Sequence, residues 1–175
     1  MTAFVITPQP ASILFGPLSR GFGQDSEVIR RQLDEMRRQW LLPATAPQGV
    51  ALAQLDEVVR DCNRPGWDGY GAKAIGPATY FKVRQFLQAL PTQLPPPELV
   101  PEPDGEIAIE WDLGQQCIFS VSLGAAAKLN YAGLLGPGVE RHGVEPFEGL
   151  VPQAILDGVA ELFRRHRAAR RSEAK

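Results

Sequence analysis

Polar and apolar residues alternate along much of the segment 106–131, and this alternation constrains the fold more than any other feature. The period of two occurs first in EIAIEWD at 106–112 and again in QCIFSVSL at 116–123. Such a period places the apolar side chains on one face of a β-strand. The turn-forming stretches PDG and LGQ flank the first of these strands. We therefore expect an antiparallel meander with one apolar face and one polar face.

The alternation also predicts the register of the second hairpin. We expect a three-residue loop at 124–126, because it pairs Leu123 with Ala127 and keeps the apolar residues of both strands on one face. A two-residue loop would place Lys128 beside Val121 on the buried face.

Four other segments carry apolar residues at three- and four-residue steps, which is the spacing of an amphipathic helix. Three of these precede the meander, at about 26–42, 50–61 and 77–90, and one follows it from Pro152. The expected fold is therefore α+β: three N-terminal helices, an antiparallel meander of three strands or slightly more, and one C-terminal helix packed on the sheet.

The remaining segments set the expected domain organisation. We expect an extended arm at 1–25, a single α+β domain at 26–166 and a basic disordered tail at 167–175. Six prolines between residues 91 and 103 indicate an extended crossover, in which ELV at 98–100 fits an edge strand. The glycine-rich segment 132–150 is interpreted as a surface loop with room for one short strand.

Several classes of function find little support in the composition. The formal net charge is −2, so nucleic acid is an expected partner only through the basic tail, at Arg164–Arg171. Cys62 and Cys117 have no CxxC spacing and are expected to be buried free thiols. Neither a secretory signal nor a membrane span is recognisable, so we expect a cytoplasmic protein without membrane contact. No metal-ligand or dinucleotide motif is found, and no cofactor is expected.

A possible catalytic constellation lies on the polar face of the meander. The predicted register places Glu106, Ser122 and Lys128 in one row, with Glu110 further along the strand. Together with Asp104 in the PDG turn, these carboxylates and the lysine resemble the polar groups of a metal-dependent nuclease or hydrolase. That core needs a Glu-x-Lys on one strand, and here Trp111 and Asp112 follow Glu110. A solvated polar face is the alternative interpretation.

The connection NRPGWDGYGAKAIGP at 63–77 is the second candidate site. Its glycines favour tight turns, and Asp68 is suited to accept hydrogen bonds from the amides of such a turn. Trp67 and Tyr70 are expected to pack beneath the loop and to fix the angle between two helices. The alternative is an exposed recognition loop in which Trp67, Asp68 and Tyr70 bind a partner.

Two motifs carry a resemblance to a known set of proteins. WDGYGA at 67–72 and VPEPDGEIAIEW at 100–111, separated by a helix and a proline tract, are similar to motifs of small uncharacterised bacterial proteins. The resemblance covers about residues 60–131. It implies a bacterial origin and a compact helix-plus-sheet module, and it implies no activity, cofactor or catalytic residue.

These observations favour a protein that is not an enzyme. We expect a protein–protein interaction module that binds a protein partner or a second copy of itself. An antitoxin-like or accessory partner of a neighbouring gene product is the most specific form of this hypothesis. The alternative is the metal-dependent hydrolase or nuclease that uses Asp104, Glu106, Glu110 and Lys128.

Overall fold

A computed structural model of the chain describes residues 47–114 and 116–173. Over these residues two helices precede a sheet of five strands, and a third helix follows it. The helices are α1 (Pro47–Cys62), α2 (Pro77–Ala89) and α3 (Gln153–Glu173). The strands are β1 (Glu98–Pro101), β2 (Ile107–Asp112), β3 (Cys117–Leu123), β4 (Lys128–Leu135) and β5 (Glu140–Pro146). The strands form one antiparallel meander in the order β1-β2-β3-β4-β5.

This arrangement corrects the expected fold. The class is α+β, but three N-terminal helices followed by three strands is wrong, because two helices precede five strands in the described part of the chain. The predicted helix at 26–42 and the predicted arm at 1–25 lie outside the described residues. The segment ELV is a strand, as expected from its extended composition, and it pairs with β2 at one edge of the sheet.

The predicted loop at 132–150 contains the largest departure from expectation. β4 continues to Leu135, and Glu140–Pro146 forms β5 at the other edge of the sheet. The sequence of β5 lacks apolar alternation because its side chains are largely exposed on both faces. Gly143 occupies the position where an apolar residue would face the helices, beside Tyr131 of β4.

Both hairpins are shifted by two residues from the predicted register. Ser122 pairs with Ala108 instead of Glu106, and Leu123 pairs with Leu129 instead of Ala127. Each turn is longer than expected because it includes a non-glycine residue with positive φ, Gln116 at 62° and Ala127 at 53°. A shift of two residues leaves every side chain on its predicted face.

The alternation itself is confirmed, and it locates the core. Along β3 every second residue is buried, and the apolar face of the sheet joins the helices in one cluster. Its largest fully buried side chains include those of Phe86, Phe119 and Phe147. Cys62 and Cys117 are buried free thiols, as expected.

α3 extends the helical structure into the basic C-terminal segment. It is helical through Glu173, which differs from the expected disordered tail at 167–175. Glu161 on its sheet-facing side binds Arg165 of the next turn at 2.7 Å and Arg141 of β5 at 2.5 Å. Hydrogen bonding from Arg165 and the charge of Arg141 lower the pKa of Glu161. Within the described residues, every helix is too short or too polar to cross a membrane.

Candidate functional site

The connection between α1 and α2 is a rigid turn held by its own backbone. The amide of Gly66 donates to the carbonyl of Ala72 at 2.7 Å, and the amide of Ile75 donates to the carbonyl of Cys62 at 2.9 Å. Gly66 takes a positive φ of 72° in the turn that follows the end of α1. These bonds fix where the side chains between them point.

Two of the three predicted binding residues support the loop from within. Asp68 Oδ1 accepts hydrogen bonds from the amides of Tyr70 at 2.9 Å and Ala72 at 3.0 Å. The bonds from Ala72 and Tyr70 lower the pKa of Asp68. Trp67 packs against the edge of the core, and its Nε1 donates to the carbonyl of Lys73 at 3.0 Å.

Tyr70 is placed differently from the other two. Its side chain is 96% exposed, so the expectation that Tyr70 packs beneath the loop is wrong. Gly69 and Gly71, with φ of 79° and 96°, turn the backbone outward on either side of it. The loop therefore presents one aromatic residue to solvent on a fixed frame.

The end of the α1–α2 connection, just after the WDGYGA motif, contacts the PDG turn of the second motif. The amide of Lys73 donates to the carbonyl of Pro103 at 2.8 Å, and Thr79 Oγ1 donates to the carbonyl of Gly105 at 3.2 Å. A Cβ at Gly105 would lie 3.2 Å from the carbonyl oxygen of Ala74. Glycine in the PDG turn thus allows the turn to lie against the α1–α2 connection.

The predicted catalytic residues form a loose polar group on the open face of the sheet. Asp104 Oδ1 accepts from the amide of Glu106 at 3.0 Å, which shapes the turn before β2. Burial and the charge of Asp104 raise the pKa of Glu106, and Lys128 opposes that shift. These three residues are therefore electrostatically coupled. Glu110 lies further along β2, where its Oε1 accepts from Ser120 Oγ at 3.0 Å.

Glu102 joins this group, although no sequence motif indicates it. Burial is the main cause that raises its pKa, and repulsion from Asp104, Glu106 and Glu110 adds to it. Within residues 47–114 and 116–173, no set of three or more His, Cys, Asp or Glu side chains is arranged to hold a metal ion. The arrangement provides carboxylates with a raised proton affinity beside one lysine.

A larger concave surface lies on the helical side of the same connection. This α1–α2 groove has a volume of about 660 Å³ and is mainly apolar. Its wall and floor come from the second half of α1, the end of the connection and the first turn of α2. The residues are Asp56, Val59, Arg60, Asn63, Ala74, Ile75, Gly76, Pro77, Tyr80 and Phe81.

A chain of hydrogen bonds fixes the aromatic wall of the groove. Arg84 donates to the hydroxyl of Tyr80 at 3.0 Å, and that hydroxyl donates to Asp56 at 2.9 Å. Burial and the hydrogen bond to Asp56 raise the pKa of Tyr80. The ring of Phe81 meets that of Tyr80 edge to face, with 5.4 Å between their centroids. Phe81 itself is 65% exposed.

No local sequence pattern indicates this groove, because its residues come from three separate segments. Val59 counts toward the apolar stripe of α1, and Tyr80 toward that of α2. Phe81 was the available signal, since it is a large aromatic residue outside the stripe of α2. An aromatic residue on the outer side of a helix indicates a contact that the helix's own core does not use.

Comparison with known proteins adds no further constraint on the site. No family model, curated protein or solved structure matches the chain.

Proposed function

We propose that this chain is a non-enzymatic bacterial protein–protein interaction module whose partner binds in the α1–α2 groove. The observation that carries the proposal is the exposed ring of Phe81 on the wall of a 660 Å³ apolar groove. An antitoxin-like or accessory role toward a neighbouring gene product is the specific form that we propose. The bacterial origin in this proposal comes from the resemblance of the two motifs.

The shape of the groove supports a protein partner. Binding energy at protein interfaces is concentrated in a few aromatic and apolar side chains that are surrounded by polar groups. Here Phe81 and Val59 supply the apolar surface, while Asp56, Arg60 and Asn63 supply polar groups. We expect the partner to insert an apolar or aromatic side chain and to place hydrogen-bonding groups against the polar residues.

The rigidity of the surroundings supports the same proposal. The backbone bond from Ile75 to Cys62 and the bond from Tyr80 to Asp56 hold both sides of the groove in place. A preorganised groove loses little conformational entropy on binding. Tyr70, exposed on the same connection, offers a second aromatic contact.

The test is a binding measurement with matched variants. The product of the neighbouring gene is co-expressed with the chain, purified, and titrated against wild type, Phe81→Ala and Leu134→Ala by calorimetry. Leu134 is the control because it is also an exposed apolar residue, 40% exposed, on the face of the sheet opposite the helices. We expect Phe81→Ala to weaken binding by about 2 kcal/mol, which is roughly thirtyfold.

Leu134→Ala is expected to bind like wild type. Equal affinity of all three proteins would contradict binding in the groove, and a folded chain that binds no product of its gene neighbourhood would contradict the accessory role. The circular dichroism spectrum of each variant is compared first, so that a loss of folding is not counted as a loss of binding.

The metal-dependent hydrolase remains a second proposal, and the coupling of Asp104, Glu106 and Lys128 favours it. It ranks lower because the described residues contain no side-chain set arranged for a metal ion. Calorimetric titration with magnesium and manganese tests it. The proposal predicts metal uptake that is lost in Glu110→Ala, and no uptake by the wild-type chain would overturn it.

A further inference from the structure

β5 has an outer edge that pairs with none of the described strands. Its inner edge is identified by two hydrogen bonds to the preceding strand and its turns. The amide of Phe147 donates to the carbonyl of Ala127 at 2.8 Å, and the amide of Leu135 donates to the carbonyl of Val139 at 2.8 Å. In an antiparallel ladder, alternate residues bond to the same neighbour. The odd-numbered residues of β5 therefore bond inward to β4.

The even-numbered residues consequently direct their backbone groups outward. Glu140, His142 and Val144 each present an amide and a carbonyl at this edge, and Pro146 presents a carbonyl. Strands that expose such a row pair readily with another strand. Pro146 has no amide hydrogen, but it is the last residue of β5, so the row of outward amides before it is continuous.

The opposite edge of the sheet is protected. β1 has four residues, ends in Pro101 and follows the proline run at 95–97. Gln54 of α1 donates to the carbonyl of Leu99 at 3.4 Å. Short length, proline and a covering side chain are common devices against strand addition. β5 is longer, with seven residues, and most of these residues are exposed.

The side chains of β5 are complementary to a second copy of β5. In ERHGVEP, Arg141 and Glu145 lie two residues on either side of Gly143. An antiparallel pairing centred on Gly143 places Arg141 of each copy opposite Glu145 of the other. Both residues are on the face that carries the helices, because their β4 partners are Gly133 and Leu129.

Backbone and side chains select the same register. Outward-facing residues must pair with each other, and pairing centred on Gly143 joins His142 to Val144 and Glu140 to Pro146. A shift by two residues in either direction still satisfies the backbone, but then Arg141 faces Gly143 or Phe147. Opposite charges across a strand pair stabilise it. Arg141 binds Glu161 of its own chain in every register, so the register is favoured by Glu145, which faces a guanidinium group only when the pairing is centred on Gly143. The charges thus favour self-pairing in one register.

Gly143, which has no side chain, allows the two β5 strands to approach each other closely at the centre of this pairing. A Cβ at Gly143 would lie 2.5 Å from the hydroxyl oxygen of Tyr131, so the Tyr131 ring covers the strand at this position. The two central glycines form a non-hydrogen-bonded pair, which is the more closely spaced kind, with Cα atoms about 4.5 Å apart.

We propose that β5 pairs antiparallel with β5 of a second copy, centred on Gly143, to form a homodimer with one continuous sheet. This surface is separate from the α1–α2 groove. Loss of dimerisation and loss of partner binding are therefore distinguishable outcomes.

Sedimentation velocity of the full chain tests the oligomeric state. We expect a dimer at micromolar concentration for the wild type and for Val144→Thr. Val144→Pro removes an outward amide and leaves the inward ladder intact, so we expect a folded monomer. A wild-type chain that remains monomeric at hundreds of micromolar overturns the proposal, as does a Val144→Pro variant that remains fully dimeric.

Disulfide formation tests the register and does not depend on the proline variant. Chains with Arg141→Cys and chains with Glu145→Cys are mixed and oxidised. The proposed register brings these two positions together as a non-hydrogen-bonded pair, within the spacing of a disulfide. We expect the mixture to cross-link and each single variant alone to remain largely uncross-linked. Equal cross-linking within one variant, or none in the mixture, contradicts this register.

Amide hydrogen exchange separates the dimer from other ways of covering the edge. The dimer predicts protected amides at Glu140, His142 and Val144 in the wild type, with faster exchange at Glu140 and His142 in Val144→Pro. Protection of these amides in a monomer would mean that another segment covers the edge, and it would overturn the proposal.

Discussion

At the scale of single residues, Asp68 holds the turn within the loop at 63–77. One carboxylate oxygen accepts from two backbone amides, at Tyr70 and Ala72, and so closes the turn that exposes Tyr70. The sequence predicted this capping role, since aspartate between glycines is typical of such turns. It did not predict the exposure of Tyr70, because the direction of that side chain depends on the positive φ of its glycine neighbours.

We expect Asp68→Ala to lower Tm at neutral pH, because two amides lose their acceptor. Asp68→Asn is the control, since it retains an acceptor oxygen. The pKa of Asp68 is below its usual 3.8, so its charge stabilises the fold above that pH. This contribution is lost as pH falls through the lowered folded-state pKa. Thermal unfolding of wild type and Asp68→Ala between pH 7 and about pH 2.5 measures this contribution. A difference in Tm between the two proteins that does not change with pH would contradict the role of the charge.

Glu102 is predicted to have the opposite effect. Its pKa is raised, mainly by burial, so its ionised form destabilises the fold above the usual glutamate pKa. We expect Glu102→Gln to increase the free energy of unfolding at pH 7 by about 0.5 kcal/mol, with the gain disappearing below about pH 4. Urea unfolding at both pH values is the measurement, and Glu57→Gln on the exposed side of α1 is the control. A less stable Glu102→Gln protein at neutral pH would show that the hydrogen bond between the Ser122 and Glu102 side chains, which lowers the pKa of Glu102, outweighs burial.

At the scale of elements, the packing of α3 on the sheet depends on two glycines that face one ring. A Cβ at Gly158 of α3 or at Gly133 of β4 would overlap the ring of Phe119. That ring is fully buried and stacks on Tyr131, with 5.8 Å between the centroids, so it has no room to move. The close approach of helix and sheet therefore requires glycine at both positions.

Gly158→Ala tests this packing, because helix propensity alone would stabilise the variant by about 1 kcal/mol. We expect destabilisation by about 1–3 kcal/mol instead, since the added methyl group displaces Phe119. Ala160→Gly, at an exposed position of the same helix, is the matched control for propensity. Chemical denaturation gives the change in the free energy of unfolding for both variants. A Gly158→Ala protein more stable than wild type would contradict the close packing.

The elements that the sequence predicted share one property, which is a single buried face. β3 alternates in burial because the helices cover one side of it and the other side is more open. β2 alternates from Ile109 onward, whereas Ala108 on its other face is also buried. Both faces of β5 are largely exposed, so its sequence has no apolar alternation from which the strand could be predicted. The two-residue shifts of register arise in turns where Gln116 and Ala127 adopt positive φ, and neither residue type signals that conformation.

At the scale of the whole molecule, the described residues carry two surfaces of different kinds that we propose as sites for partners. The α1–α2 groove is concave, apolar and rimmed by polar groups, whereas β5 offers backbone hydrogen bonds and a charge pattern. The sequence predicted protein binding in general terms from the lack of a catalytic motif. The location of these surfaces depends on tertiary contacts between distant segments, such as Asp56 with Tyr80, which no local pattern contains.

Photo-cross-linking in living cells tests the central claim that the groove binds a partner protein. A photoreactive phenylalanine analogue is placed at Phe81 in one strain and at Leu134 in another, both exposed apolar positions. We predict one discrete protein cross-linked at position 81 and absent at position 134, and its yield should fall when Val59 is also replaced by aspartate. The same products at both positions, or none at position 81, would contradict the account.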